Sequence, residues 1–507
     1  MRNIFLVIAV SLMLILGSCS DRSDKLTALI PENPAYIAKI DVSGIAQKCG
    51  LTSEEGNFAI TDELNGILSE NEKSFVSRVL RTLPSSGLLF TGDAYLFGGS
   101  QDFLTEFIIE TDDADATRNW LCRLTNESAM KCENGIDYIF DDDVLYALHN
   151  DVLIVGVAAG RNDAGKLTAS LKAAFEGKGK NVSSNATIMN ALDKDADVEL
   201  YMAVSALKGG NSARRMKSVA IAGMPISDII AGLDMKAVSA TVNFDKTADL
   251  EAEVTADATS AYKMMFGSVV SKPSAEFLQL IPSSMETVIS LSVKGGSLLN
   301  IPALGNLLVM AKTMPIIRDF DFKKIISTID GPVAVGISRD ANFIDEYNVV
   351  VAVASIDTDA LISELDRVAA KYGKQPQHID GEKVYEYFNQ RITVGVKNRR
   401  YVYFKLNNYQ NDTEFMNGDA GAVELFGKSP IGVGLHLDGY NALIGFSSAD
   451  KFSCHFGTDS QDSNVLLSII RLMCKAKPLR DFSGYSDDDD SDDDFGAAMP
   501  IDGFTEF

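Results

Sequence analysis

The residue best placed for covalent chemistry is Cys19, the last member of Leu16-Gly17-Ser18-Cys19. Its surroundings make it a substrate rather than a catalyst. Met1-Arg2-Asn3 sets a positive charge ahead of an apolar run from Ile4 to Leu16, and small residues follow. A basic start, an apolar stretch and small residues before a cleavage point form an export signal. Cysteine directly after the small residues predicts a lipoprotein, with diacylglycerol on the Cys19 thiol and cleavage between Ser18 and Cys19. The apolar run is too short to cross a hydrocarbon core, which takes about 20 residues. Each buried acyl methylene contributes about 0.8 kcal/mol, so several chains hold a protein where one does not. The expected address is the cell envelope, at the outer membrane, facing either the periplasm or the outside.

Other spacings suggest chemistry and then fail a requirement of it. Gly160-Arg161-Asn162-Asp163-Ala164-Gly165-Lys166 has the spacing of a phosphate-binding loop, yet Leu167 stands where the magnesium-binding Ser or Thr belongs. A turn entering a helix accounts for it. Asp113-Ala114-Asp115-Ala116-Thr117 resembles the aspartate pair of haloacid-dehalogenase-type phosphatases. Three residues separate it from Phe107-Ile108-Ile109, so the pair is displaced from the strand tip, and helix capping by Asp113 is the expected role. Ser205-Ala206-Leu207-Lys208 resembles the Ser-x-x-Lys of penicillin-recognising hydrolases, but it ends a strand-like run and no Lys-Thr-Gly occurs. The histidines, His149, His378, His436 and His455, lack paired-ligand spacing. No catalytic residue, cofactor or metal site is therefore expected.

Five cysteines remain beside Cys19: Cys49, Cys122, Cys132, Cys454 and Cys474. An odd number cannot all pair within one chain. Bridges Cys122 to Cys132 and Cys454 to Cys474 stand open beside buried free thiols. The only tryptophan, Trp120, is at helical spacing with Leu124, which suits a core better than a sugar platform. Leu298 to Ile317 and Val219 to Leu233 are greasy enough to read as helices buried on most sides, or as walls of an apolar groove.

The net charge of −24 argues against nucleic acid as a partner. Ten of the acids fall in residues 481–507, which carry no lysine or arginine. That segment repels itself and reads as a disordered tail.

The elements that would position any site come in two rounds. Leu29-Ile30-Pro31 and the strand Ala35 to Val42 are echoed by Leu280-Ile281-Pro282 and Thr287 to Val293. Gly92 to Phe97 is echoed by Gly331 to Gly336. Phe107-Ile108-Ile109 with Asp113 to Ala116 is echoed by Val351-Ala352-Val353 with Asp357 to Ala360, and Val152 to Val157 by Arg400 to Lys405. Four matches in one order predict duplication of a large unit. Within the first unit, strands are expected at 87–98, 103–111, 135–140, 144–149 and 151–158, with helices at 61–83, 114–125 and 162–175. The expected fold class is α+β: two homologous domains, each an antiparallel meander covered by helices. The expected division is a signal peptide at 1–18, a tether at 19–27, a first domain at 28–258, a helical linker at 259–278, a second domain at 279–480 and the acidic tail.

The stretch Ile30-Pro31 through Ser43, then Lys48-Cys49-Gly50-Leu51, resembles the start of an uncharacterised lipoprotein family of Bacteroidetes. Phe277 to Gly295 resembles that family's second half. The resemblance implies an anchored envelope protein and supplies no active site. The expected function is a non-enzymatic binding or assembly module, held to a membrane by its N-terminal lipid, with a protein or apolar ligand as partner. The alternatives are a carrier of a lipid-like ligand and an extracytoplasmic hydrolase with an unrecognised site.

Overall fold

Val152–Ala158 is buried at every position, and Val144–His149 at all but the last. Successive strand side chains point to opposite faces, so such strands must lie in a sheet covered on both sides. The computed structural model places them in that setting, within one long, mostly antiparallel β structure carrying some helices. It describes residues 24–48, 78–79, 82–98, 102–141, 143–159, 164–207, 220–221, 224–225, 235–244, 248–256, 260–301, 317–339, 347–379, 381–387, 390–406, 414–437 and 440–458. Residues 1–23 with Cys19, the tail at 481–507, and most of 61–83, 219–233 and 298–317 lie outside them.

The first half supplies β1 (Tyr36–Asp41), β2 (Asp93–Gly98), β3 (Phe103–Glu110), β4 (Lys131–Glu133), β5 (Ile136–Asp141), β6 (Val144–His149), β7 (Val152–Ala158), β8 (Val198–Ala203), the two-residue β9 (Ala220–Ile221) and β10 (Met224–Pro225), β11 (Met235–Phe244) and β12 (Ala248–Ala256). The second supplies β13 (Thr287–Lys294), β14 (Ile329–Arg339), β15 (Tyr347–Ser355), β16 (Gln377–Ile379), β17 (Glu382–Tyr387), β18 (Gln390–Lys397), β19 (Tyr401–Leu406), β20 (Ile431–Leu437), β21 (Tyr440–Phe446) and β22 (Lys451–Thr458).

Every ladder is antiparallel. From one end the first half runs β4-β5-β6-β7-β3-β2-β1-β8-β11-β12. From the other end the second runs β16-β17-β18-β19-β15-β14-β13-β20-β21-β22, the same order of equivalent strands. The two halves meet where β12 pairs with β22, from Ala248 opposite Phe456 to Glu253 opposite Lys451. Among the described residues β4 and β16 each pair with one neighbour only.

Helices α1 (Val42–Lys48), α2 (Ala114–Thr125), α3 (Ala164–Phe175), α4 (Ala186–Ala191), α5 (Ala261–Val269), α6 (Thr358–Lys371) and α7 (Ala420–Lys428) complete the layers. In the first half, Trp120, Leu121 and Leu124 of α2 cover one sheet face with Phe107, Tyr146 and Val155. Leu167 and Leu171 of α3 and Ile188 of α4 cover the other, against Ile37, Phe97 and Ile154. The second half repeats this with Leu361 and Ala369 of α6 on one face and Ala422 and Phe426 of α7 on the other.

Two expectations differ from what is found. The strand expected from residue 87 begins at Asp93, and Leu88 makes only an isolated bridge to Thr111. Gly87 has φ +72° and its carbonyl accepts the amides of Asp112 and Asp113, which ties the chain across the start of α2 instead of along a ladder. Within 219–233, read as a helix buried on most sides or as a wall of an apolar groove, the described residues Ala220–Ile221 and Met224–Pro225 pair as strands instead of forming a helix. Gly223 and Pro225 are the poorest helix formers, and they outweighed the apolar signal.

Candidate binding groove at the junction of the halves

On the face carrying α4 and α7, the central strands β11, β12 and β22 run between those two helices, and among the described residues the single helical turn Val204–Leu207 packs against β11. Helix α4 rests on β8, while α7 rests on β20 and β21. From β8 to β21 is four strand spacings, about 19 Å. The gap is a groove of about 800 Å³, floored by the sheet and walled by Ala191, Lys194 and Ala196 on one side and by Glu424, Leu425 and Lys428 on the other.

Registration sets the floor. Ser239, Glu253 and Lys451 form one rung, then Thr241, Glu251 and Ser453, then Asn243, Asp249 and His455. Residues directly opposite in an antiparallel pair share a face, so all nine side chains look the same way. Asp249 Oδ1 and His455 Nδ1 are in hydrogen-bond contact at 2.5 Å, and Lys428 is ion-paired with Glu424 at 2.6 Å. Glu251, Glu253, Lys194 and Lys451 form no ion pair among the described residues. The groove thus offers hydroxyls, an amide and charges of both signs, which suits a polar, multiply hydrogen-bonding ligand and not an acyl chain.

The first wall is held from beneath. Glu199, fully buried on β8, accepts the amides of Lys194 and Ala196 at 3.1 and 3.2 Å through Oε1. Lys39 lies 3.5 Å from the same oxygen and 3.7 Å from Asp93. This arrangement fixes the turn that rims the groove.

The opposite face of the same strands is apolar. Val238 and Val242, Leu250 and Val254, and Phe452, Cys454 and Phe456 occupy the alternate positions and are half-buried. Three strands beyond β22, Ile289 and Leu291 of β13 are 45% and 37% exposed in mid-sheet.

The residues singled out from the sequence are scattered, and none reaches the groove except His455. Asp113 caps α2, accepting the amides of Asp115 at 3.0 Å and Ala116 at 2.9 Å, and Asp357 caps α6 in the same way. Ser205 sits in the single helical turn Val204–Leu207, and Lys208 lies outside the described residues. Lys166 is in α3, while Gly160 to Asp163 lie outside. Trp120 is buried and donates Nε1–H to Thr82 Oγ1 at 2.9 Å. His149 Nδ1 meets the Gly135 carbonyl at 2.9 Å. Cys122, Cys132 and Cys454 are free thiols, so the Cys122 to Cys132 bridge is not formed. Burial raises the Cys454 thiol pKa, with Asp249 adding to it. Among the described residues no three His, Cys, Asp or Glu side chains are arranged to hold a metal ion, and no helix is long and apolar enough to cross a membrane.

The floor escaped the sequence reading although its signal is present. Asp249, Glu251 and Glu253 alternate with Leu250, Ala252 and Val254, the pattern of a half-covered strand. The strands beside it could not be named without the tertiary pairing.

No family model matches the chain, and no curated protein matches it. Among solved structures, crystal form IV of TP0453 is 10% identical, covers 45% of this chain and 79% of that one, and gives a TM-score of 0.29. Crystal form III of TP0453 is 10% identical, with 47% and 83% covered and a TM-score of 0.30. The overlap is partial and the geometric agreement low.

Proposed function

We propose that this chain is a lipid-anchored envelope protein, built from two related halves, that binds a polar partner without transforming it. The observation that carries this reading is the groove over β11, β12 and β22, which exists only because the halves join there. Relatedness of the halves is supported by their common strand order and by matching details. The Ile30 carbonyl accepts the Val182 amide at 2.9 Å, and the Ile281 carbonyl accepts the Met416 amide at 3.0 Å. Each contact follows one of the two echoed Leu-Ile-Pro motifs. Absence of catalysis is supported by the fate of the candidate aspartates: Asp113 Oδ1 caps α2, and Asp115 Oδ1 is paired with Arg118.

Site-directed photo-crosslinking in intact cells tests the groove. A photoreactive residue at Thr241 or Ser453 should give one discrete adduct, which Glu251→Lys removes, while the same residue at exposed Leu104 should not. Equal adducts at all three positions would sink the reading. The anchor is tested separately: Cys19→Ala should release the protein from membranes.

A second reading, transport of an acyl chain, is favoured by exposed Ile289 and Leu291 on the apolar face. Burying that face would gain roughly 25 cal/mol per Å². A fluorescent fatty acid should bind the detergent-free protein, and Ile289→Glu with Leu291→Glu should weaken it about tenfold, which is only 1.4 kcal/mol. No binding of the probe by the wild type would dismiss transport while leaving the groove untouched.

A further inference from the structure

The strand at one end of the sheet, β4, is three residues long, and Lys131, Cys132 and Glu133 are all exposed. It is joined to β5 by Asn134 and Gly135, with φ +58° and +80°, a two-residue turn of the hairpin type. Glu133 and Ile136 flank that turn and Cys132 is registered with Asp137. Hydrogen-bonded and non-hydrogen-bonded pairs alternate along an antiparallel ladder, and the pair closing such a turn is bonded. The backbone N–H and C=O of Cys132 therefore point away from β5, toward the free edge.

Charges on a short edge strand ordinarily block pairing with other chains. Here the pattern admits one partner. Laid antiparallel on itself about Cys132, the strand sets Lys131 opposite Glu133 of the second copy and Glu133 opposite its Lys131. Cys132 then faces Cys132, with its outward N–H and C=O meeting their counterparts. We infer that the β4 edge is a self-association surface whose partner is β4 of a second copy of this chain, across a two-fold axis at Cys132. The inference is independent of what the groove binds. Opposed bonded residues lie about 5.5 Å apart at Cα, within the span of a disulfide, so the two thiols report the register.

The test uses the full mature protein and copper-phenanthroline, which takes two electrons and two protons from the two thiols and passes them to dioxygen. Asp137 beside the thiol raises its pKa, so an added oxidant is appropriate. Wild type should form a covalent dimer that Cys132→Ser abolishes. Lys131→Glu alone and Glu133→Lys alone should each slow cross-linking about tenfold, since like charges then face each other. Mixing those two variants should restore the rate as a heterodimer, because each supplies the charges the other lacks. All three positions are exposed, so the fold should survive, which circular dichroism checks. A wild type that yields no Cys132-dependent dimer, single variants as fast as wild type, or a mixture no faster than its components would each overturn the inference.

Discussion

Asp249 and His455 face each other across the ladder that joins the halves, with Oδ1 and Nδ1 2.5 Å apart, although 206 positions separate them in the chain. Both side chains are about half exposed, 50% and 42%. Solvent screens such a pair, and the side-chain ordering it demands offsets much of the attraction. The backbone ladder and the apolar residues behind it must do most of the joining. A double-mutant cycle with Asp249→Asn and His455→Gln should give a coupling below about 1 kcal/mol, falling further in high salt. A coupling of several kcal/mol would show that the pair is a principal clamp between the halves.

The two equivalent helix caps should respond alike. Asp113→Ala exposes the amides of Asp115 and Ala116, and Asp357→Ala exposes that of Ala360. Each should cost about 1 kcal/mol in denaturant unfolding, and serine at either position should recover most of it. If Asp113→Asn instead abolished a phosphatase activity, capping would not be the whole role of this residue.

Trp120 reports on the core beneath α2. It is the only tryptophan, it is 2% exposed, and its indole N–H is bonded to Thr82. Its fluorescence should be blue-shifted and shielded from iodide until the first half unfolds. Thr82→Val leaves the buried N–H without its acceptor and should cost about 1–3 kcal/mol. Trp120→Ala should cost about 3–5 kcal/mol.

Acid should weaken the second half through Glu364. This carboxyl is held at about 2 chiefly by its hydrogen bonds to Arg367, against the opposing effect of burial, with the Asp321 amide assisting. A pKa lowered on folding contributes stability that is present above the unfolded value of 4.5 and is lost as pH falls toward 2. Glu364→Gln should be less stable than wild type at neutral pH, and the difference should shrink across that window. Parallel stability curves down to pH 2 would exclude this role.

Gly87 is constrained by its neighbours as well as by its φ of +72°. A Cβ there would lie 2.3 Å from the Asp113 carbonyl oxygen and 2.8 Å from the Ala116 Cβ. Gly87→Ala should therefore destabilise the start of α2 by more than the roughly 1 kcal/mol that a compatible site would change. A stability equal to wild type would mean that the loop has room to move.

Much of the first half is legible from the order of residues. Helix α2 spans 114–125 and β6 spans 144–149, as periodicity predicts, because their apolar spacing, caps and turns are local signals. The doubled order of motifs is legible for the same reason. The groove is not, since Glu251 gains its meaning from Thr241 on one side and Ser453, over 200 positions away, on the other. Alternation along a strand says that it has two faces, not what either face meets. Composition, local periodicity and capping chemistry thus determine which segments are strands and helices, because those depend on near neighbours along the chain. Only the tertiary structure decides that β12 closes on β22 and sets three strands between the flanking helices α4 and α7, since that rests on long-range pairing and on where those helices run out.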